Sequence, residues 1–156
     1  MKTIDLSVPE KIDFCVCSVL QAILKANGEE ISQGEIARNL TPGNEMGFQI
    51  HDEKIKNFLL GKGFRYDVFW CEDSSFFEPE RLLFEMRDNY GIVGIEFIDL
   101  KDGKKYNHVY LLRDFNDPMI KMADPNTGIE REIEVNYRGL LRVSGHSDFF
   151  GLVKRI

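Results

Sequence analysis

The chain is poor in the features that would place it outside a reducing cell interior. Its 156 residues include only 3 cysteines, Cys15, Cys17 and Cys71, too few and too unevenly spaced for a disulfide framework. The odd count leaves at least one thiol free, which fits a reducing, cytoplasmic setting. No apolar run approaches the ~20 residues a membrane-spanning helix needs. The opening Met1-Lys2-Thr3-Ile4-Asp5-Leu6 meets an acidic residue before any apolar run develops, unlike a secretory signal, and neither end carries a lipidation motif. Basic residues are outnumbered, 20 Lys and Arg against 26 Asp and Glu, for a formal charge of -6. That balance disfavours phosphate attraction, so nucleic acid and anionic membranes are not expected partners. Gly61-Lys62-Gly63 lacks the spacing of a phosphate cradle. Fixed-period repeats and low-complexity stretches are also missing.

What is present suits one folded unit over residues 1–156: 43% hydrophobic, 12% aromatic and 29% charged residues, enough to build a core. From Val16 to Ala26 the apolar positions Val16, Val19, Leu20, Ile23 and Leu24 share a helical face, and Asn27-Gly28 supplies a stop. Ser32 with Glu35 reads as a capping box opening a second helix that Thr41-Pro42-Gly43 ends. A third helix is expected from His51 to Leu60, closed by Gly61, and a fourth from Glu78 or Pro79 to Asn89. After Tyr90-Gly91 the period becomes that of strands: Ile92 to Ile98, a polar loop from Asp99 to Lys105, Asn107 to Leu112, Met119 to Ala123, and Phe149 to Ile156. Asp124-Pro125-Asn126-Thr127-Gly128 reads as a tight turn. Helices first and an antiparallel sheet after predict an α+β fold, with N-terminal helices packed on a C-terminal meander.

Cys15 and Cys17 lie in the first turn of the first predicted helix, where unpaired N–H groups favour a thiolate and would lower the thiol pKa. A thiolate nucleophile needs a base, and the histidines are His51, His108 and His146. His108 opens an apolar strand after a polar loop, and Asp124 begins the turn at the end of the next strand. Antiparallel pairing would bring those two side by side, base beside orienting carboxylate. The same residues also suit plainer roles, two small core cysteines and an ordinary turn. Cys15, Cys17, Cys71 and His51 do not have zinc spacing, since Cys-x-Cys is not Cys-x-x-Cys, so neither a metal nor a cofactor is expected. Phe69, Trp70, Phe76 and Phe77 are expected in the core more than along a substrate groove.

Cys15-Val16-Cys17-Ser18-Val19-Leu20-Gln21-Ala22-Ile23-Leu24 resembles the Cys-Gly-Pro-Ala-Ser-Leu-Ala-Met-Ile-Leu type of helix of papain-like cysteine peptidases. More narrowly, it is similar to that helix in the bacteriocin-processing, double-glycine-leader family and its stand-alone relatives. The resemblance continues through Gly28, Ile31-Ser32, Ile36-Ala37, Gly47 and Gly61-Lys62-Gly63-Phe64. It then reaches His108 with Val109 to Leu112, Met122-Ala123-Asp124-Pro125-Asn126-Thr127-Gly128, and the closing Phe149 to Val153. It implies a papain-like fold, Cys15 as nucleophile, His108 as base and then acid, Asp124 as orienter, and a peptide or protein substrate cleaved through a thioester. Two departures bear on this. Val16-Cys17 replaces the family's Gly-Pro, which makes Cys17 the fallback nucleophile. Pro9 stands where the family has a Gln that donates to the oxyanion; the nearest candidate, Glu10, would repel one, and losing such a donor costs turnover ~10²–10³-fold. A thioester-forming acyltransferase and an inactive papain-like binding module are therefore the alternatives.

Overall fold

The computed structural model describes residues 6–11, 13–41, 53–70, 88–98, 101–103, 105–116, 119–128, 130–134 and 148–156. Three helices precede and flank the first strand: α1 (Cys15–Lys25), α2 (Gln33–Leu40) and α3 (Glu53–Gly61). Six strands follow: β1 (Phe64–Trp70), β2 (Tyr90–Ile98), β3 (Lys105–Asn116), β4 (Met119–Ala123), β5 (Glu130–Glu134) and β6 (Asp148–Arg155). They form one antiparallel sheet in the order β1-β6-β2-β3-β4-β5. The fold is α+β, as expected, but the sheet is not a simple meander. The last strand inserts between β1 and β2, and β1 and β5 are strands that the sequence reading leaves unassigned. The predicted helix at Glu78 to Asn89 lies mostly outside the described residues; its last two, Asp88 and Asn89, form a turn and a bend before β2. Phe76, Phe77, Cys71, His51 and His146 also lie outside them. No helix among the described residues is long and apolar enough to cross a membrane.

α1 is buried at Cys15, Val16, Cys17, Ser18, Val19, Leu20, Ala22, Ile23 and Leu24, so it is apolar nearly all round and has to be walled in. The wall on one side is the sheet face that carries Tyr66, Tyr90, Ile92, Val109, Leu111 and Val153, which share one core with α1. α2 and α3 complete it through Ile36, Leu40, Ile55 and Leu59. Local signals set the ends of these helices. The Ser32 hydroxyl accepts from the Glu35 N–H at 3.1 Å and opens α2. At the end of α1, Glu29 N–H reaches the Leu24 carbonyl and Gly28 N–H the Lys25 carbonyl, and Asn27 Nδ2 donates to the Ile23 carbonyl and to the Tyr90 hydroxyl. That last bond ties the helix end to the first residue of β2. α3 runs one residue past its predicted end and includes Gly61; the left-handed residue that releases the chain is Gly63, at φ +83°.

Gly151 in β6 is required by close approach. A Cβ there would lie 2.5 Å from Tyr66 Oη and 2.6 Å from its Cε2. The Tyr66 ring is itself buried, and its hydroxyl finds no hydrogen-bond partner among the described residues. Gly151→Ala is therefore expected to destabilise the fold by ~1–3 kcal/mol in urea titration. Tyr66→Leu in the same background should restore part of the loss, and Tyr66→Phe alone should leave stability unchanged or slightly raised. A Gly151→Ala protein as stable as the parent would contradict this packing.

Candidate active site

The β3–β4 ladder ends at Leu111 opposite Ala123. Asp124 then turns the chain away through 124–128, the turn closed by Gly128 N–H donating to the Asp124 carbonyl at 2.7 Å. Among the described residues, the β3 edge at His108 and Val109 is thereby left without a strand on the β4 side, and the N-terminus of α1 meets it there. Cys15, the first residue of α1, lies beside the backbone of Val109, which favours its thiolate, and within the field of Asp124.

His108 Nε2 and Asp124 Oδ1 are 2.8 Å apart, with 15% and 12% of the side chains exposed. An ionised carboxylate can only accept, so Nε2 is the donor of this bond. Asp124 Oδ1 also accepts from the Asn126 N–H at 2.9 Å, an Asx turn that holds the carboxylate in place. The Asp-Pro-Asn-Thr-Gly turn thus holds a buried acceptor against an imidazole. His108 and Asp124 are brought together as the sequence suggests. Cys15 reaches Val109, the residue after the histidine, and no Cys15–His108 hydrogen bond is formed.

The thiol itself departs from expectation. Burial pushes the Cys15 pKa up, against backbone groups of Val16, Val109 and Cys15 that favour the thiolate, and the Asp124 charge adds to the rise. The helix start does offer N–H groups to the sulfur, but loss of water outweighs them, so the expectation of a lowered pKa is overturned. Cys17 is 0% exposed and packed in the core. Its pKa is pushed up to about 12, by burial first and then by the charges of Cys15 and Asp13.

The stretch before Cys15 is fastened by side chains and not by sheet pairing. The buried Ser18 hydroxyl donates to the Ser7 carbonyl. Buried Gln33 donates to the Val8 carbonyl and to Gln21 Oε1, both at 3.1 Å, and its own Oε1 accepts from Glu10 N–H at 2.9 Å. Gln21 completes the set by donating to the Ile31 carbonyl at 3.0 Å. Pro9 has no N–H, the Glu10 N–H is engaged by Gln33, and Glu10 is exposed. The sequence reading missed Gln21 and Gln33; a glutamine at the first position of a helix gives no cue that it will be buried.

No family model and no curated protein matches the chain. Among solved structures it is similar to the peptidase domain of Streptococcus ComA, a bi-functional ABC transporter involved in a quorum sensing pathway. The TM-score is 0.62 at 15% identity, over 97% of this chain and 98% of that domain. The chain therefore shares its fold, helices on an antiparallel sheet, with that domain.

The Cys17 thiol supplies a pH test of this packing. Its folded pKa lies above the 9.0 of an ordinary thiol, so its contribution to stability is complete below pH 9 and is lost as pH rises toward about 12. The urea midpoint of the parent should fall above pH 9, and more steeply than that of Cys17→Ala. Parallel pH curves for the two proteins would mean that Cys17 ionises as easily folded as unfolded.

Proposed function

We propose that the chain is a cysteine peptidase in which Cys15 is the nucleophile, His108 the general base and then acid, and Asp124 the group that orients the imidazole. The observation that carries this reading is the buried His108–Asp124 hydrogen bond at the β3 edge where the α1 N-terminus delivers a thiol. The fold shared with the ComA peptidase domain supports it. Cys15 is preferred to Cys17 because the latter is sealed in the core.

The resting thiol is protonated. When a peptide carbonyl approaches, the thiol proton passes to His108 Nδ1 as sulfur attacks the carbonyl carbon, and Asp124 stabilises the imidazolium through Nε2–H. Hydrogen bonds of this kind are commonly long before substrate binds. Collapse of the tetrahedral intermediate breaks the C–N bond, and His108 returns its proton to the departing amine. Water, deprotonated by His108, then attacks the thioester, releasing the acid and restoring the thiol. The Cys15 and Val16 N–H groups, which lie beside the sulfur at the helix start, would serve as donors to the developing oxyanion.

A second reading, a papain-like binding module without turnover, is favoured by one observation. Neither Pro9 nor Glu10 presents a donor where the resembled family has its Gln. The two readings separate in a peptide-library digest read by mass spectrometry of new termini. The parent should generate sequence-defined cuts. Cys15→Ala should generate none, and His108→Ala should slow them by ~10²–10⁴-fold. Identical digests from parent and Cys15→Ala would exclude the peptidase reading.

A further inference from the structure

Tyr110 touches the candidate site and takes no part in the reaction written above. Residues two apart on a strand share a face, so Tyr110 follows His108 on one side of β3. The tyrosine therefore lies beside the imidazole of the hydrogen-bonded pair. Its ring centroid is 4.7 Å from that of His108 with the planes at 81°, the edge-to-face geometry that aromatic pairs prefer.

The constraint this supplies is one the hydrogen bond alone does not. Asp124 is fixed by the Asn126 N–H, and one bond to its Oδ1 fixes the position of His108 Nε2. The terminal torsion of a histidine is broad, so an imidazole held at one nitrogen can still tilt and admit water to that bond. A ring packed nearly perpendicular to it opposes the tilt, and at 15% exposure of the His108 side chain little room is left for solvent.

We propose that Tyr110 is a positioning residue for His108. Its ring, and not its hydroxyl, keeps the imidazole in the orientation that donates to Asp124 and leaves Nδ1 available, and it keeps water off the Nε2–Oδ1 bond. The inference rests on the reading of His108 as the general base, and Tyr110 acts only through it.

The test is the His108 Nε2–H resonance in proton–nitrogen NMR, a readout that needs neither a substrate nor Cys15. In the parent, a downfield imidazole N–H, assigned by its loss in His108→Gln, should exchange slowly with water. Tyr110→Phe should keep it. Tyr110→Leu, or Tyr110→Val should the leucine variant fold poorly, should exchange about tenfold faster, in keeping with loss of one aromatic pair. Fast exchange in the parent overturns the inference, as do parent-like rates in the aliphatic variants. Loss of the resonance in Tyr110→Phe overturns it too, by assigning the role to the hydroxyl. Protection that follows Tyr110 in a protein whose Cys15 cleaves nothing would fail the peptidase reading and leave the positioning intact.

Discussion

The burial of α1 is the constraint on which the rest of the molecule depends. An 11-residue helix with polar groups on almost no side has no stable surface position, so sheet, second helix and N-terminal stretch are all arranged to enclose it. Fully buried Leu20, Ile23 and Leu24 each contribute ~1.5–3 kcal/mol by leaving water. Once that packing is set, the direction of the helix is set, and its first residue, Cys15, arrives at the β3 edge beyond the end of β4. The Asn27–Tyr90 bond at the other end fixes the helix against sliding along the sheet.

The same burial sets the electrostatics of the thiol. A cysteine at an exposed helix start would be expected to ionise early. Here the enclosing walls remove its water, and Asp124, whose charge orients His108, opposes a second negative charge nearby. On the proposed reading, Asp124 would serve both states of the site: it would hold the imidazole for proton transfer and discourage a free thiolate before substrate arrives. The proposed chemistry would then couple proton transfer to attack, in place of a standing thiolate–imidazolium pair.

Much of this was legible in the sequence. The Val16, Val19, Leu20, Ile23 and Leu24 spacing locates α1, Ser32 with Glu35 locates the start of α2, and Asp124 to Gly128 reads as a turn from its residues alone. The antiparallel neighbours His108 and Asp124 also followed from strand ends. Strand β1 was missed although Phe64, Tyr66 and Val68 alternate with Arg65 and Asp67; the apolar residues face the core, and Arg65 and Asp67 pair with each other at 3.0 Å. β5, Glu130–Glu134, was not legible, because four of its five residues are charged and its place is at the sheet edge, where charge guards against further pairing. The insertion of β6 between β1 and β2 is a long-range pairing that no local pattern encodes. The raised Cys15 pKa was missed for the same kind of reason, since spacing reports the helix start and not how much water the fold removes from it.

The claim that Cys15 is a nucleophile activated by His108 is tested most directly by acyl-enzyme trapping. The protein is mixed with activated peptide esters, and intact mass and peptide mapping follow the acyl group. The account requires a single acyl adduct on Cys15 that decays as water hydrolyses it, absent from Cys15→Ala and formed far more slowly by His108→Ala. Adducts that form at the same rate with and without His108, or that fall on Cys17 or on lysines, would contradict it.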